Sequence, residues 1–149
     1  MGKCIEFPKL TESGGDDSPL ISEGKYELTY LYHTTWLFMG RQPKVVVYFA
    51  IMEPGEYFQV VLPAYYNAIK HIGRRCKYGN FKAAKKSNLV RDFCRIFPTQ
   101  PLPRLDRIPM RKLESVVVLG TVVNVKKDFE QREIPKMAQY SRVAMIDKW

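Results

Sequence analysis

The segment Lys70–Arg95 combines positive charge with flat aromatic rings. It contains nine of the 24 Lys and Arg residues of the chain, and Asp92 is its single acidic residue. Tyr78 and Phe81 stand among the charges. Ammonium and guanidinium groups neutralise phosphates, and aromatic rings stack on unpaired bases. The pattern predicts a surface for single-stranded nucleic acid, although a solvated basic face with both rings in the core would give the same sequence.

The predicted binding residues are the cations of this segment, its two rings and a tyrosine pair just upstream. They are Tyr65, Tyr66, Lys70, Arg74, Arg75, Lys77, Tyr78, Phe81, Lys82, Lys85 and Lys86. The net charge of +9 and the isoelectric point near 9.5 also favour a polyanionic partner. An acidic protein surface would attract the same charge, so a protein partner stays open.

Residues that could carry catalysis are sparse. The cysteines Cys4, Cys76 and Cys94 form no CxxC pair, and His33 and His71 are the only histidines. The carboxylates available for Mg²⁺ are Asp106, Glu114, Asp128 and Glu130, in no recognisable metal motif. The sequence therefore predicts a protein that is not an enzyme and needs no cofactor, with a metal-dependent nuclease as an alternative.

Three β-strands are predicted before the basic segment. Lys25–Thr34 alternates with a period of two, and Lys44–Met52 is apolar on both faces, as in a central strand. Glu53–Glu56 has the Pro and Gly of a type II turn, so Tyr57–Leu62 is expected to return antiparallel and to end at Pro63. One face of the first strand carries Tyr26, Leu28, Tyr30 and Tyr32, which either pack in the core or form a stacking platform.

One helix and two further strands are predicted after that. Ser87 can cap a helix that Pro98 ends, with Leu89, Phe93 and Phe97 on one side and Arg91, Asp92 and Arg95 pointing away. Glu114–Lys126 is long for one strand, so Gly120 is expected to mark a bulge or a bend, and Gln139–Ile146 is the last strand. The expected core residues are Val45, Val47, Phe49, Ile51, Val118, Val122 and Val143.

This order predicts a mainly β fold of the α+β kind. Three strands, a helix and two strands match a small antiparallel β-barrel, OB-like, with one helix between strands three and four. Residues 1–23 carry an excess of acidic residues, and the run Thr11–Pro19 has almost no apolar content, so residues 1–23 are expected to form a flexible arm before a single globular domain at 24–149. Sparse cysteines and the lack of a spanning or targeting segment predict a cytoplasmic protein that does not bind membranes.

Three short motifs carry a resemblance to a known group. They are Gly24-Lys-Tyr, Lys44-Val-Val-Val-Tyr-Phe and Pro54-Gly-Glu-Tyr-Phe58, within residues 24–66. This part of the chain resembles single-stranded-DNA-binding-like accessory proteins of phages and mobile elements. The resemblance implies a role in replication, recombination or element maintenance. A protein-interaction or inhibitor factor of a mobile element, acting on a nucleic-acid-handling complex, is the alternative.

Overall fold

The computed structural model describes residues 19–100, 102, 104–128 and 130–149. In chain order the elements are β1 (Gly24–Phe38), β2 (Gln42–Ile51), β3 (Val61–Asn67), β4 (Lys70–Ile72), β5 (Asn80–Lys82), helix α1 (Asn88–Ile96), a 3-10 helix (Met110–Ser115), β6 (Val117–Val125), a second 3-10 helix (Lys136–Ala138) and β7 (Tyr140–Lys148). Five strands form one antiparallel sheet in the order β3-β2-β1-β6-β7, and β4 pairs with β5. The mainly β prediction with one α-helix is confirmed for the described residues.

The core lies on one side of this sheet. Each of the seven predicted core residues, Val45, Val47, Phe49, Ile51, Val118, Val122 and Val143, is at most 2% exposed. Alternation along β2 places Val45, Val47 and Phe49 inward, so the intervening Val46 and Tyr48 face the outer side. The prediction of these buried positions is confirmed.

A β-bulge at Leu31 divides β1 into two halves, and the alternation of inward and outward side chains is reversed in the second half. Tyr30 pairs with Phe49, whereas Tyr32 pairs with Tyr48, so Leu31 is the extra residue. Tyr30 therefore stays in the core at 4% exposure, and Tyr32 turns to the outer side of the sheet. The prediction that both tyrosines share one face is wrong because a bulge reverses the alternation beyond it.

The third strand begins later than its predicted position. Tyr57–Gln59 lie in a turn, and β3 contains Pro63, which pairs with Tyr48 instead of ending the strand. A proline is accepted there because β3 is an edge strand, where one side of the backbone has no ladder to donate to. The predicted tight turn is replaced by a longer connection, residues 52–60, and β1 continues to Phe38.

Helix α1 confirms the predicted cap but not the predicted outward Asp92. Ser87 Oγ accepts the Val90 N–H at 3.3 Å. Asp92 is 3% exposed and accepts hydrogen bonds from the Tyr66 hydroxyl at 2.9 Å and from the Ile146 N–H at 3.4 Å. Arg95 donates to Asp92 and to the Ile146 carbonyl, each at 3.1 Å. Burial raises the pKa of Asp92, and the hydrogen bond from Tyr66 opposes that shift.

Within the described residues no β3–β7 ladder closes the sheet, and side chains of α1 contact both of its edges. Asp92 and Arg95 occupy the backbone groups of Ile146 on the outer edge of β7. Asp92 also holds Tyr66 of β3, the strand at the other edge. The helix therefore joins the two edges through side chains, in place of a direct β3–β7 ladder.

Gly120 serves close packing rather than a bulge. It pairs in register with Tyr26 and Ile146, and the register shift lies between Thr121 and Val122. A Cβ at position 120 would collide with the Leu28 side chain. The expected bulge at Gly120 is therefore wrong, and the missing side chain leaves room for the buried Leu28 side chain of β1.

The chain already packs on the sheet before β1. Ile21 is buried, its N–H donates to Ser141 Oγ at 2.8 Å, and the Pro19 carbonyl accepts the Ser141 N–H at 2.9 Å. Residues 1–18, the greater part of the predicted arm, lie outside the described residues. No helix in the described ranges is long and apolar enough to cross a membrane.

Candidate nucleic-acid interface

The β4–β5 hairpin presents two lysines side by side. Lys70 is directly opposite Lys82, and both are exposed, while Phe81 on the other side of β5 is buried. Like charges directly opposite each other destabilise a ladder. An anion bound between the two ammonium groups would relieve that repulsion.

The predicted cations form an exposed surface without acidic partners. Within the described part of the chain, none of them lies within ion-pair distance of a carboxylate. All are exposed: Lys70, Arg74, Arg75, Lys77, Lys82, Lys85 and Lys86. Because no described acid neutralises them, their charge is available to a partner.

A tyrosine face covers the outer side of the sheet next to two of these cations, Arg75 and Lys77. We use this name for Tyr32, Tyr48, Tyr65 and Tyr140, each of which is half-buried. Ring centroids are 4.7 Å apart for Tyr32 and Tyr48 and 6.4 Å apart for Tyr65 and Tyr140. Lys77 Nζ lies 4.6 Å from the Tyr32 ring centroid, so the charge and the rings meet at one place.

A groove of about 430 Å³ opens on this face. Its walls include Trp36, Tyr48 and Tyr65, and Arg75 and Lys77 line it as well. Burial raises the pKa of the Tyr65 hydroxyl, as it does for Tyr32 and Tyr140. These hydroxyls therefore stay neutral at physiological pH, and the groove combines apolar rings with cations and no phenolate charge.

The segment 76–79 holds this cationic edge in place by pairing with β1. On β1, the strand β6 pairs with residues 24–29, and the segment 76–79 takes the following part of that edge, with Lys77 bridged to Thr34. Tyr78 N–H donates to the His33 carbonyl at 2.7 Å, and Thr35 N–H donates to the Cys76 carbonyl at 3.3 Å. Gly79 fits here because a Cβ would collide with the Thr35 side chain.

His33 connects this segment to the core. It is 5% exposed; its Nε2–H donates to the Gly79 carbonyl at 3.0 Å, and the Tyr30 hydroxyl donates to Nδ1 at 2.9 Å. Burial lowers the pKa of His33, although the Gly79 bond opposes the shift. Both bonds suit the neutral imidazole, which therefore positions the loop as a fixed polar contact.

Two of the predicted stacking rings lie in the core. Tyr66 and Phe81 are each 4% exposed. Strand alternation turns both rings inward, so neither lies open on the surface as a stacking platform, and we correct both assignments to core residues. Tyr65 keeps its place on the outer side, and Tyr78 is exposed.

The structure adds residues that sequence reasoning did not assign. Tyr48 and Tyr140 complete the tyrosine face, and the Arg111 guanidinium lies 5.0 Å from the Tyr78 ring centroid. Tyr48 follows the buried Val47 in β2, so strand alternation could have predicted from the sequence that its ring faces outward. Tyr140 and Arg111 come from distant segments, and no local pattern places them here.

The candidates for metal chemistry are engaged elsewhere. Asp106 pairs with Arg104, Glu114 with Arg111, and both Asp128 and Glu130 with Arg132. Among the residues that the structure describes, no group of three His, Cys, Asp or Glu could hold a metal ion. Cys4 lies outside these residues.

Comparison with family models, with curated proteins and with solved structures finds no match to this chain.

Proposed function

We propose that this protein is a non-enzymatic module that binds single-stranded DNA with little sequence preference. The observation that carries the proposal is the tyrosine face bordered by cations that have no described acidic partner. The resemblance of residues 24–66 adds the expectation that the module serves a phage or mobile-element process.

The basic and the aromatic side chains have different roles in this proposal. Lys70, Lys82 and their exposed neighbours contact phosphates, which gives affinity that depends on salt. The tyrosines stack on bases, which requires an unpaired strand and tolerates any base because every base has a π-face. The arrangement thus favours a single strand over a duplex without requiring base-edge recognition.

We also propose that the sheet is an OB-like barrel. Three features support it: the strand order, the single helix between β3 and β6, and the contact of Tyr65 with Tyr140 across the two sheet edges. OB-folds bind oligonucleotides on the face of their second and third strands. Tyr48 of β2 and Tyr65 of β3 lie on that face.

The proposal is tested by fluorescence anisotropy with single-stranded DNA, single-stranded RNA and duplex DNA, starting at about 50 mM salt, where phosphate contacts count most. Each lost phosphate contact should make the log–log salt slope shallower by about 0.7. The Lys70→Ala/Lys82→Ala double variant should therefore lose about 1.4 of slope for every sequence. Lys25→Ala/Lys148→Ala is the matched control, since it removes the same charge near the opposite end of β1.

The outcomes separate the readings. No binding to any single strand at low salt would reject the proposal and favour an acidic protein partner for the basic surface. Equal affinity for duplex and single strand would reject the stacking part, because paired bases offer no free ring face. Tighter binding of RNA than of DNA would change the assigned nucleic acid.

A further inference from the structure

We propose that a second groove, lined in part by the segment 76–79, binds one nucleotide of the same strand. The groove measures about 460 Å³ and lies between residues 78–81 and residues 106–112. The base of the nucleotide would rest on the apolar floor of the groove, and its phosphate would lie at the cationic rim. This inference rests on the proposed function and names a further subsite for the same ligand.

The groove has the composition of a ligand site. Its floor includes Phe81, Ile108 and Met110, which are at most 9% exposed. The polar residues around it include Asn80, Arg107, Arg111 and Lys112. Pockets of roughly 300–1,000 Å³ that combine apolar walls with a few polar groups are typical of small-ligand binding.

The Arg111 side chain contacts both Tyr78 and Glu114. Its guanidinium lies 5.0 Å from the Tyr78 ring centroid, and its Nε donates to Glu114 at 3.1 Å. The Tyr78 ring is fixed in turn, because its hydroxyl donates to the Leu31 carbonyl at 3.2 Å. A guanidinium plane is a stacking partner for an unpaired base, so this side chain offers a second platform beside the tyrosine face.

The charge around the groove suits a phosphate. Asp106, a carboxylate of its lining, accepts both hydrogen bonds of a bidentate pair with Arg104, at 2.9 and 2.7 Å. The Arg104 hydrogen bond lowers the pKa of Asp106, and the pair neutralises that carboxylate. Arg107 is exposed and forms no close ion pair within the described residues, and Asp106, the carboxylate on which its charge acts, is already paired with Arg104, so the rim keeps an excess cation.

Consecutive residues of one short segment line the two grooves. Arg75, Cys76 and Lys77 line the groove of the tyrosine face, and Tyr78 and Gly79 line the second one. Lys77 Nζ is 4.6 Å from the Tyr32 ring centroid and 5.6 Å from that of Tyr78. A strand that crosses at Lys77 can therefore place a base in each groove and the linking phosphate at this ammonium group.

The test compares wild-type protein with Arg107→Ala, Arg111→Ala and Arg111→Lys on an oligothymidine of roughly 12 nucleotides, within the usual site sizes of such proteins. Arg107→Ala should make the salt slope shallower by about 0.7. Arg111→Lys keeps the charge but loses the plane, so affinity should fall about 5- to 150-fold at constant slope. Arg91→Ala, an exposed arginine on α1, is the control.

A direct probe uses thymidine 5′-monophosphate and NMR. It should shift the amide signals of Gly79 and Ile108 in wild-type protein, and inorganic phosphate alone should not reproduce the shifts. Thermal melting checks that each variant is folded. If Arg111→Ala is less stable than the wild-type protein, the inference is decided by the affinity of Arg107→Glu, a variant on the exposed rim, and by the Gly79 shifts.

The results distinguish this inference from the proposed function. If the wild-type protein binds the oligonucleotide, the Arg107 and Arg111 variants bind it as Arg91→Ala does, and the Gly79 signal does not shift, the second groove is overturned. The proposal for the tyrosine face would then remain intact. An absence of wild-type binding to any single strand would overturn both.

Discussion

Tyr65 and Tyr66 are adjacent in β3, and strand alternation sends their rings to opposite sides of the sheet. Tyr65 lies on the outer side against Tyr140, with ring centroids 6.4 Å apart. Tyr66 is 4% exposed and donates to Asp92 at 2.9 Å. Burial raises the pKa of both hydroxyls. The same side chain thus offers a stacking surface on one side and joins the sheet edges on the other.

We expect the buried contact between Tyr66 and Asp92 to contribute to the stability of the fold. Asp92→Ala would leave the Tyr66 hydroxyl and the Ile146 N–H without a buried acceptor. Breaking a buried pair costs about 3–5 kcal/mol, and we expect about 3 because the partner Arg95 side chain remains 31% exposed. Urea denaturation monitored by circular dichroism measures the loss.

Asp92→Asn is the matched control for that change. Its side-chain oxygen can take the place of Oδ2, which accepts the hydrogen bonds from both Tyr66 and Ile146, and the substitution removes a charge that burial disfavours. We expect a smaller loss than for Asp92→Ala. Equal losses in both variants would show that the charge, rather than the acceptor, holds the edges together.

The two tyrosines should separate binding from folding. Tyr65→Ala removes a stacking ring, so oligonucleotide affinity should fall by about 1–3 kcal/mol per base stacked, at an unchanged salt slope. Tyr66→Phe should leave affinity unchanged and reduce the free energy of unfolding by about 1–2 kcal/mol, because Asp92 loses a donor. Anisotropy and urea titrations on the same samples check both. Weaker binding by Tyr66→Phe at full stability would break the comparison.

The smallest expected effect is the pH dependence of the His33 contact. Its folded pKa lies below the ordinary value of 6.5. The stability that neutral His33 provides is therefore present above pH 6.5 and is lost as the pH falls through the folded pKa, by at most about 1.4 kcal/mol per pH unit. His33→Gln should show a weaker decline in melting temperature between pH 7.5 and 5.5. An identical decline in both proteins would assign it to other groups.

Local patterns were enough to predict much of the fold. The apolar period of β2 predicted its buried residues, and Ser87 and Pro98 predicted the limits of α1, because capping and alternation depend on near neighbours. The exposure of the cations from Lys70 to Lys86 also followed from charge alone, since an unpaired ammonium group is costly to bury.

Only the tertiary structure decided which aromatic rings face outward. One extra residue, Leu31, places Tyr32 on the opposite face of the sheet from Tyr30. No neighbouring residue type indicates that bulge in the sequence. Asp92 lies in the core because Tyr66 and Ile146, from two distant strands, supply its hydrogen bonds. Arg111 reaches Tyr78 for the same reason. The sequence by itself determined the strands, the helix and the excess of charge, whereas long-range contacts determined where the rings and the charges meet.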